Sequence, residues 1–318
     1  MSSPVALTGL DGSNPLGYLA ALGALVVMTE NAGPEGPRPR LSWRNSGRWV
    51  PRLSEVPDID TIAGHVVADA ESWAAEPLLE FAYVADGTQI VPPDTRGAVR
   101  DLKPKPELLR ELMMNLAAAF PASRRSTNLV TSLATETAQD RTKGNVKPTA
   151  FHFTAGQQTF LAMIDELRAG LTPDDAAEAL VGPWRRSSDL PTMRWDAAAP
   201  RDYALRAVNP AGPGEKPRGV PAADWLAFRG LTLFPVADVA GRLETTCITG
   251  GWKDAVFSWP IWTAQADLAS IRSLLSCWQA LADKPAEWDG RGVAIGFRSR
   301  ITRSDQGGYG NFGPARPF

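Results

Sequence analysis

The stretch from Leu7 to Leu25, LTGLDGSNPLGYLAALGAL, constrains this chain more tightly than any other. Val5, Leu7 and Leu10 supply a short apolar strand, and Asp11-Gly12 carries turn chemistry. Asn14 or Ser13 then offers an N-cap, and Pro15 takes the first helical position, where a missing N–H costs nothing. The helix that follows aligns Leu16, Leu19, Leu22 and Leu25 on one stripe, with Tyr18 beside it. Gly17 and Gly23 lower its propensity, which suggests close approach of another backbone. The expectation is an N-terminal strand and helix buried in the core, with no group held out to a ligand.

At 318 residues the chain is long enough for one large domain or two lobes around a continuous core. It is 44% hydrophobic and 21% charged, an ordinary globular balance, and no run of 18 apolar residues predicts a membrane span. The apolar N-terminal helix does not read as a signal peptide: it lacks a basic flank, starts at a turn and precedes no small-residue cleavage site. Cys247 and Cys277 are too few for a disulfide scaffold and read as buried thiols of a reducing cytoplasm. His65 and His152 are the only histidines. That inventory predicts no zinc site and excludes a histidine-aspartate nuclease, which needs several histidines around two metals. No cofactor is expected.

Two hairpins are expected, one about Asn45-Ser46-Gly47 and one about Asp86-Gly87. Helical spacing predicts helices over 58–73, 104–120, 154–167, from 173 onward, 221–231 and 266–281, with strands near 128–134, 151–153, 243–248, 255–259 and 293–301. Asp58-x-Asp60 reads as helix capping rather than a magnesium site. Residues 136–149 read as a polar loop, and 182–219, rich in Pro, Arg and Trp, as a surface excursion. No repeat recurs at a fixed period. The fold class expected is α+β: a mostly antiparallel sheet with hairpins and interspersed packed helices. Its parts are an N-terminal region 1–181, the excursion 182–220 and a C-terminal region 221–318, forming one continuous domain or two lobes.

Leu7, Gly9, Pro15, Leu16, Tyr18, Leu19, Ala21, Leu22, Gly23 and Leu25 together form a signature. Phe151–Leu161, Met193–Asp196 followed by Tyr203–Leu205, and Trp225–Pro235 add to it. On these residues the chain resembles effector subunits encoded in type I-U (also called I-G) CRISPR loci, over most of its length. The resemblance implies a subunit of an RNA-guided, DNA-binding surveillance complex, as a shortened large subunit or an accessory protein. It implies as partners other effector subunits, guide RNA, target DNA and a recruited helicase-nuclease. In such complexes base pairing supplies sequence specificity, while the large subunit reads a short adjacent motif and holds the duplex through basic loops.

Charge is segregated along the chain despite a formal net of −2. Residues 96–147 hold ten basic side chains against five acidic ones, and from Arg291 onward five arginines face Asp305 alone. Lysines and arginines in polar loops are the usual footprint of phosphate contacts. The candidates for nucleic-acid binding are Arg124, Arg125, Arg141, Lys143, Lys147, Arg298, Arg300 and Arg303. Strand alternation places Arg298, Arg300 and Thr302 opposite Phe297 and Ile301. Trp184 and Trp195, in polar stretches as Trp288 also is, are candidate partner anchors, and so are Tyr309 and Phe312 of the glycine-rich tail. Trp225, Trp259, Trp262 and Trp278 lie in apolar runs and read as core.

No nucleophile motif or triad is recognisable. His152 reads as a surface or interface histidine, and Gly250-Gly251 beside Lys253 lacks the spacing of a phosphate-binding loop. With the function that the resemblance implies, the expectation is a non-catalytic, cytoplasmic subunit of a CRISPR antiviral surveillance complex, binding nucleic acid and partner subunits. Its rivals are an interaction module that never touches nucleic acid and a carboxylate-based magnesium-dependent nuclease.

Overall fold

The computed structural model describes residues 3–154, 158–198, 218–303 and 309–318. β1 (Val5–Ala6) leads through the Asp11 turn into α1 (Pro15–Ala32), capped by Asn14 with Pro15 in its first turn. β2 (Arg40–Asn45) and β3 (Trp49–Ser54) form the first hairpin. α2 (Ile59–Ser72) is capped by Asp58, whose carboxylate accepts from Thr61 N at 2.8 Å. Next come α3 (Pro77–Glu80), α4 (Pro106–Ala118) and α5 (Arg124–Leu133), then β4 (Ala134–Gln139) and β5 (Val146–Pro148). α6 (Phe160–Ala169) precedes α7 (Pro173–Val181), which a reciprocal Thr172–Asp175 capping box opens.

After the 182–220 region lie α8 (Pro221–Gly230), the hairpin of β6 (Val236–Val239) and β7 (Arg242–Thr245), β8 (Ile248–Thr249) and β9 (Val256–Trp262). β10 (Ala266–Asp267) runs into α9 (Leu268–Leu281), and β11 (Val293–Arg303), β12 (Gly310–Phe312) and β13 (Arg316–Pro317) end the chain. Every strand pairing among the described residues is antiparallel. Two larger sheets run β1-β3-β2-β10 and β12-β11-β9-β8, the latter with β13 also on β11, and β4-β5 and β6-β7 form two-stranded ladders. The fold is α+β. Its N- and C-terminal regions interleave: β10 pairs with β2, Trp259 Nε1 donates to Gly12 O at 2.8 Å, and Trp262 Nε1 donates to Leu41 O at 2.9 Å.

α1 is buried at every residue from Pro15 to Met28, and α8 at all ten of its residues. A helix without a solvent face belongs at the centre of a fold. These two lie backbone against backbone, and glycine makes that possible. A Cβ on Gly23 would overlap the Leu226 carbonyl, and one on Gly230 would overlap the Leu19 carbonyl. On the other side of α1, Tyr18 stacks on Trp43 at 5.7 Å and lies 5.7 Å from Trp259, linking the helix to both sheets. Such aromatic pairs contribute about 0.5–1.5 kcal/mol each beyond area burial.

The core also encloses charge. Arg229, wholly buried, donates from Nε to Asp69 Oδ2 at 3.0 Å and from Nη2 to Glu30, while Trp225 Nε1 donates to the same Asp69 oxygen at 3.0 Å. The Trp73 ring lies against both the Arg229 and Arg125 guanidiniums, at 4.6 and 4.8 Å. Asp224, also on α8, is wholly buried beside Thr192 and Met193, whose hydrogen bonding only partly supports its ionised form. Burial first, then the negative charge of Asp196, pushes its carboxyl up to about 8.

Several segments differ from the pattern reading. The 128–134 stretch is helical, not extended: Ser126, Leu129, Val130 and Leu133 form one buried face of α5, and that period overrides the β-branched composition. Residues 136–149 are a hairpin rather than an unstructured loop. The 81–91 segment is a turn with isolated bridges at Tyr83 in place of a ladder. Residues 150–153 form a turn, and α6 starts at Phe160 rather than beside Thr154. Tyr203–Leu205, the 199–217 part of the excursion and Gln306–Gly308 lie outside the described residues. Among the described residues no helix is long and apolar enough to cross a membrane.

Two substitutions test the packing. Gly23→Ala should destabilise by at least about 1–3 kcal/mol, the usual cost of overpacking. Gly64→Ala, on an open face of α2 with nothing within 4 Å, should stabilise by about 0.4–1 kcal/mol. Equal melting of Gly23→Ala and the wild type contradicts the backbone contact. Asp224 supplies a pH test. Between its unfolded value of 3.8 and its folded value of about 8, the carboxyl is ionised only in the unfolded chain, so stability falls as pH rises through that window. Asp224→Asn should melt like the wild type at pH 4 and above it at pH 8; parallel pH curves contradict the assignment.

Candidate functional site

The β4–β5 hairpin, the β6–β7 hairpin, the β8–β9 turn and the end of β11 enclose a cavity of about 670 Å³. Its basic lining residues are Lys103, Lys143, Lys147, Arg242 and Arg303; its acidic ones are Asp140 and Glu244. Turn chemistry orders the first wall. The Asp140 carboxylate accepts from Thr142 N at 2.8 Å and Lys143 N at 3.2 Å, and Gly144, at φ +65°, closes the turn by donating to Asp140 O. Lys105 Nζ, donating to Lys143 O at 2.7 Å, and Val146 N, donating to Pro104 O at 2.9 Å, tie this turn to the 103–105 segment.

The opposite wall is the β8–β9 turn. Gly250 adopts φ +84°, and Gly251 N donates to the Asp254 carboxylate at 2.8 Å, so the turn holds Trp252 outward at 49% exposure. Arg303 lies between the walls. Its Nη1 donates to His152 O at 2.9 Å and its Nη2 to Ala150 O at 2.8 Å, and its Cζ sits 3.5 Å from the Trp252 ring centroid. The guanidinium thus fixes the 150–152 turn and backs one face of the indole.

The field in this cavity is positive. Burial lowers the Arg303 guanidinium to about 10, still charged at neutral pH. Burial also pulls the Lys103 ammonium below its ordinary value; the Arg303 and Lys143 charges add to the shift and Asp101 opposes it. Among the described residues, Lys103, Lys143, Lys147 and Arg242 make no ion pair. Their ammonium and guanidinium groups can therefore receive an anion without breaking an internal pair.

Three of the eight predicted basic residues meet here: Lys143, Lys147 and Arg303. Arg141 is exposed at the hairpin tip, outside the lining, and Arg124 is exposed at the start of α5. Arg125 is committed to the fold. It lies 3.4 Å from Glu76 and 3.8 Å from Asp69, and donates to Ser72 Oγ at 3.0 Å. Arg298 and Arg300 are exposed with Thr302 on one face of β11, as alternation predicts. Arg303 falls on the other face, so the basic strand is two surfaces rather than one. Arg298 pairs with Asp283 at 3.2 Å and covers the Phe318 ring.

Two of the four expected partner anchors, Trp195 and Phe312, need correction. Trp195 is wholly buried and donates from Nε1 to Phe151 O at 2.9 Å. Phe312 is wholly buried against Phe151, Phe153 and Phe257. Both are core residues, brought inward by tertiary packing from polar-looking segments. Trp288 is buried in the same way, donating to Leu281 O. Trp184 is half-buried and donates to Ala179 O at 3.1 Å, and Tyr309 is half-buried beneath Arg194.

His152 is also an interior residue rather than a surface one. Its Nε2 lies 2.9 Å from Asp101 Oδ1 and 3.1 Å from Thr154 Oγ1, and its ring stacks on Phe160. Burial first holds it below the usual histidine range, against the pull of Asp101. The turn at 150–153 breaks the alternation that would have put it outside. Pattern reading counts Lys103 in the basic 96–147 segment without singling it out, and it misses Arg242 and Trp252. The Gly-Gly-Trp-Lys turn was the one local signal, since an indole between turn residues has no strand or helix face to bury it. Among the described residues, no three His, Cys, Asp or Glu side chains converge as a metal site. Comparison of the sequence with protein-family models and with curated proteins finds no match.

Proposed function

We propose that this chain is a non-catalytic, nucleic-acid-binding subunit of a cytoplasmic CRISPR surveillance complex. In this reading Lys103, Lys143, Lys147 and Arg242 hold a phosphate backbone. One observation carries it: four cations, none paired with an acid among the described residues, surround one concave surface whose walls turn chemistry and backbone hydrogen bonds already order. Walls already ordered lose little backbone freedom on binding, and each neutralised phosphate releases counterions. The assembly itself, with guide RNA, target DNA, other effector subunits and a recruited helicase-nuclease, rests on the resemblance of the N-terminal signature.

Binding of fluorescent oligonucleotides as a function of salt tests the reading. Lys143→Ala combined with Lys147→Ala should weaken binding and reduce the slope of log K against log salt by about 0.7–0.9 per lost phosphate contact. Arg298→Ala with Arg300→Ala, on the far face of β11, should change neither. Because Lys103 is depressed, its contribution should fade on the alkaline side earlier than that of an exposed lysine, and Lys103→Arg should abolish that fading. A chain that binds no nucleic acid at low salt, yet co-purifies with partner subunits, is the interaction module instead. Cleavage of labelled DNA or RNA with Mg²⁺ supports the nuclease rival.

A further inference from the structure

The geometry around Trp252 points to a narrower ligand, and we infer that the pocket receives an unpaired nucleotide, its base stacked on Trp252 and its phosphates on the surrounding lysines. This inference rests on the reading of the pocket as a nucleic-acid site. Its starting point is an exposed tryptophan that the fold holds still. Trp252 is 49% exposed although the Arg303 guanidinium covers one of its faces at 3.5 Å. Arg303 is itself anchored by two backbone carbonyls, and the loop carrying Trp252 is closed by the Gly251–Asp254 hydrogen bond. A ring so placed loses little freedom when a flat ligand lies on its outer face. The cation behind it also draws indole electron density toward itself, which eases stacking of a second ring on the outer face.

Size and accessibility select the partner. The cavity of about 670 Å³ falls within the roughly 300–1,000 Å³ range of sites that engulf a small ligand. A duplex keeps its base faces stacked inside the helix and presents phosphates on a convex outer surface. It can reach the cations at the rim but offers no base to the ring. An unpaired nucleotide in a single strand, a flap or a strand end satisfies the ring and the cations together. Stacking of this kind tolerates any base, which fits a subunit that leaves sequence reading to base pairing.

The experiment compares three probes on the full chain by fluorescence anisotropy: a short single strand, the same strand made abasic throughout, and the matching duplex. The intact strand should bind at least about fivefold more tightly than the abasic one, the lower end of what one stacked base contributes. Trp252→Ala should reduce the intact strand to the abasic affinity and leave the abasic strand unchanged. Trp252→Phe, which keeps a ring, should restore part of the difference and guards against a folding artefact. If all three probes bind alike and Trp252→Ala changes nothing while the Lys143/Lys147 double variant still weakens binding, the stacking inference fails and the phosphate-site reading stands. If Trp252→Ala weakens all three equally, the ring merely supports Arg303, and the inference fails as well. If no probe binds, both fall.

Discussion

The contact between α1 and α8 sets the rest of the molecule. Leu226 O rests where a side chain on Gly23 would stand, and Leu19 O where one on Gly230 would stand. This reciprocal notch brings α1 and α8, about two hundred residues apart in the chain, into backbone contact with no solvent between them. Two consequences follow. α1 can be apolar on all sides, because α8 covers one side while the Trp43, Trp259 and Trp262 layer covers another. The two sheets then close around this pair through β10 on β2 and through indole hydrogen bonds to Gly12 and Leu41.

The basic pocket is built on that frame but lies at its edge. β9 is buried along nearly its whole length and pairs with β11, so the end of β11 has one fixed position. Arg303 carries that order outward: it reaches the carbonyls of Ala150 and His152 and stacks on Trp252, joining two loops that no ladder connects. A single arginine thus acts as a brace as well as a charge. Burial lowers both Arg303 and Lys103, and for Lys103 the neighbouring Arg303 and Lys143 charges add to the shift.

How much of this was legible in the sequence depended on whether a feature was local. The Asn14 cap, the Pro15 start, the α7 start at Pro173, the first hairpin and the amphipathic α4 are each set by residues close together in the chain, and each is found where pattern reading places it. The close approach at Gly23 was legible too. A glycine costs a helix interior about 1 kcal/mol relative to alanine, and the notch it leaves is offset only when another backbone fills it. What escaped was non-local. Arg125 looks like a surface cation until Glu76 and Asp69 arrive from α2 and the turn after it. Trp195 and Phe312 sit in polar, glycine- or arginine-rich runs whose burial comes from distant Phe151. The pocket unites residues from 103 to 303: Lys103, Lys143, Lys147 and Arg303 fall in the two basic segments, whereas Arg242 and Trp252 lie outside both.

Central to the proposed role is that nucleic acid lies in this pocket rather than along the Arg298–Arg300 face. Ultraviolet crosslinking of the chain to a single strand, followed by mass-spectrometric mapping of the modified peptides, addresses it directly. Crosslinks are expected at Trp252 and within residues 140–147. Crosslinks confined to the peptide bearing Arg298 and Arg300, or scattered evenly over the surface, would contradict it.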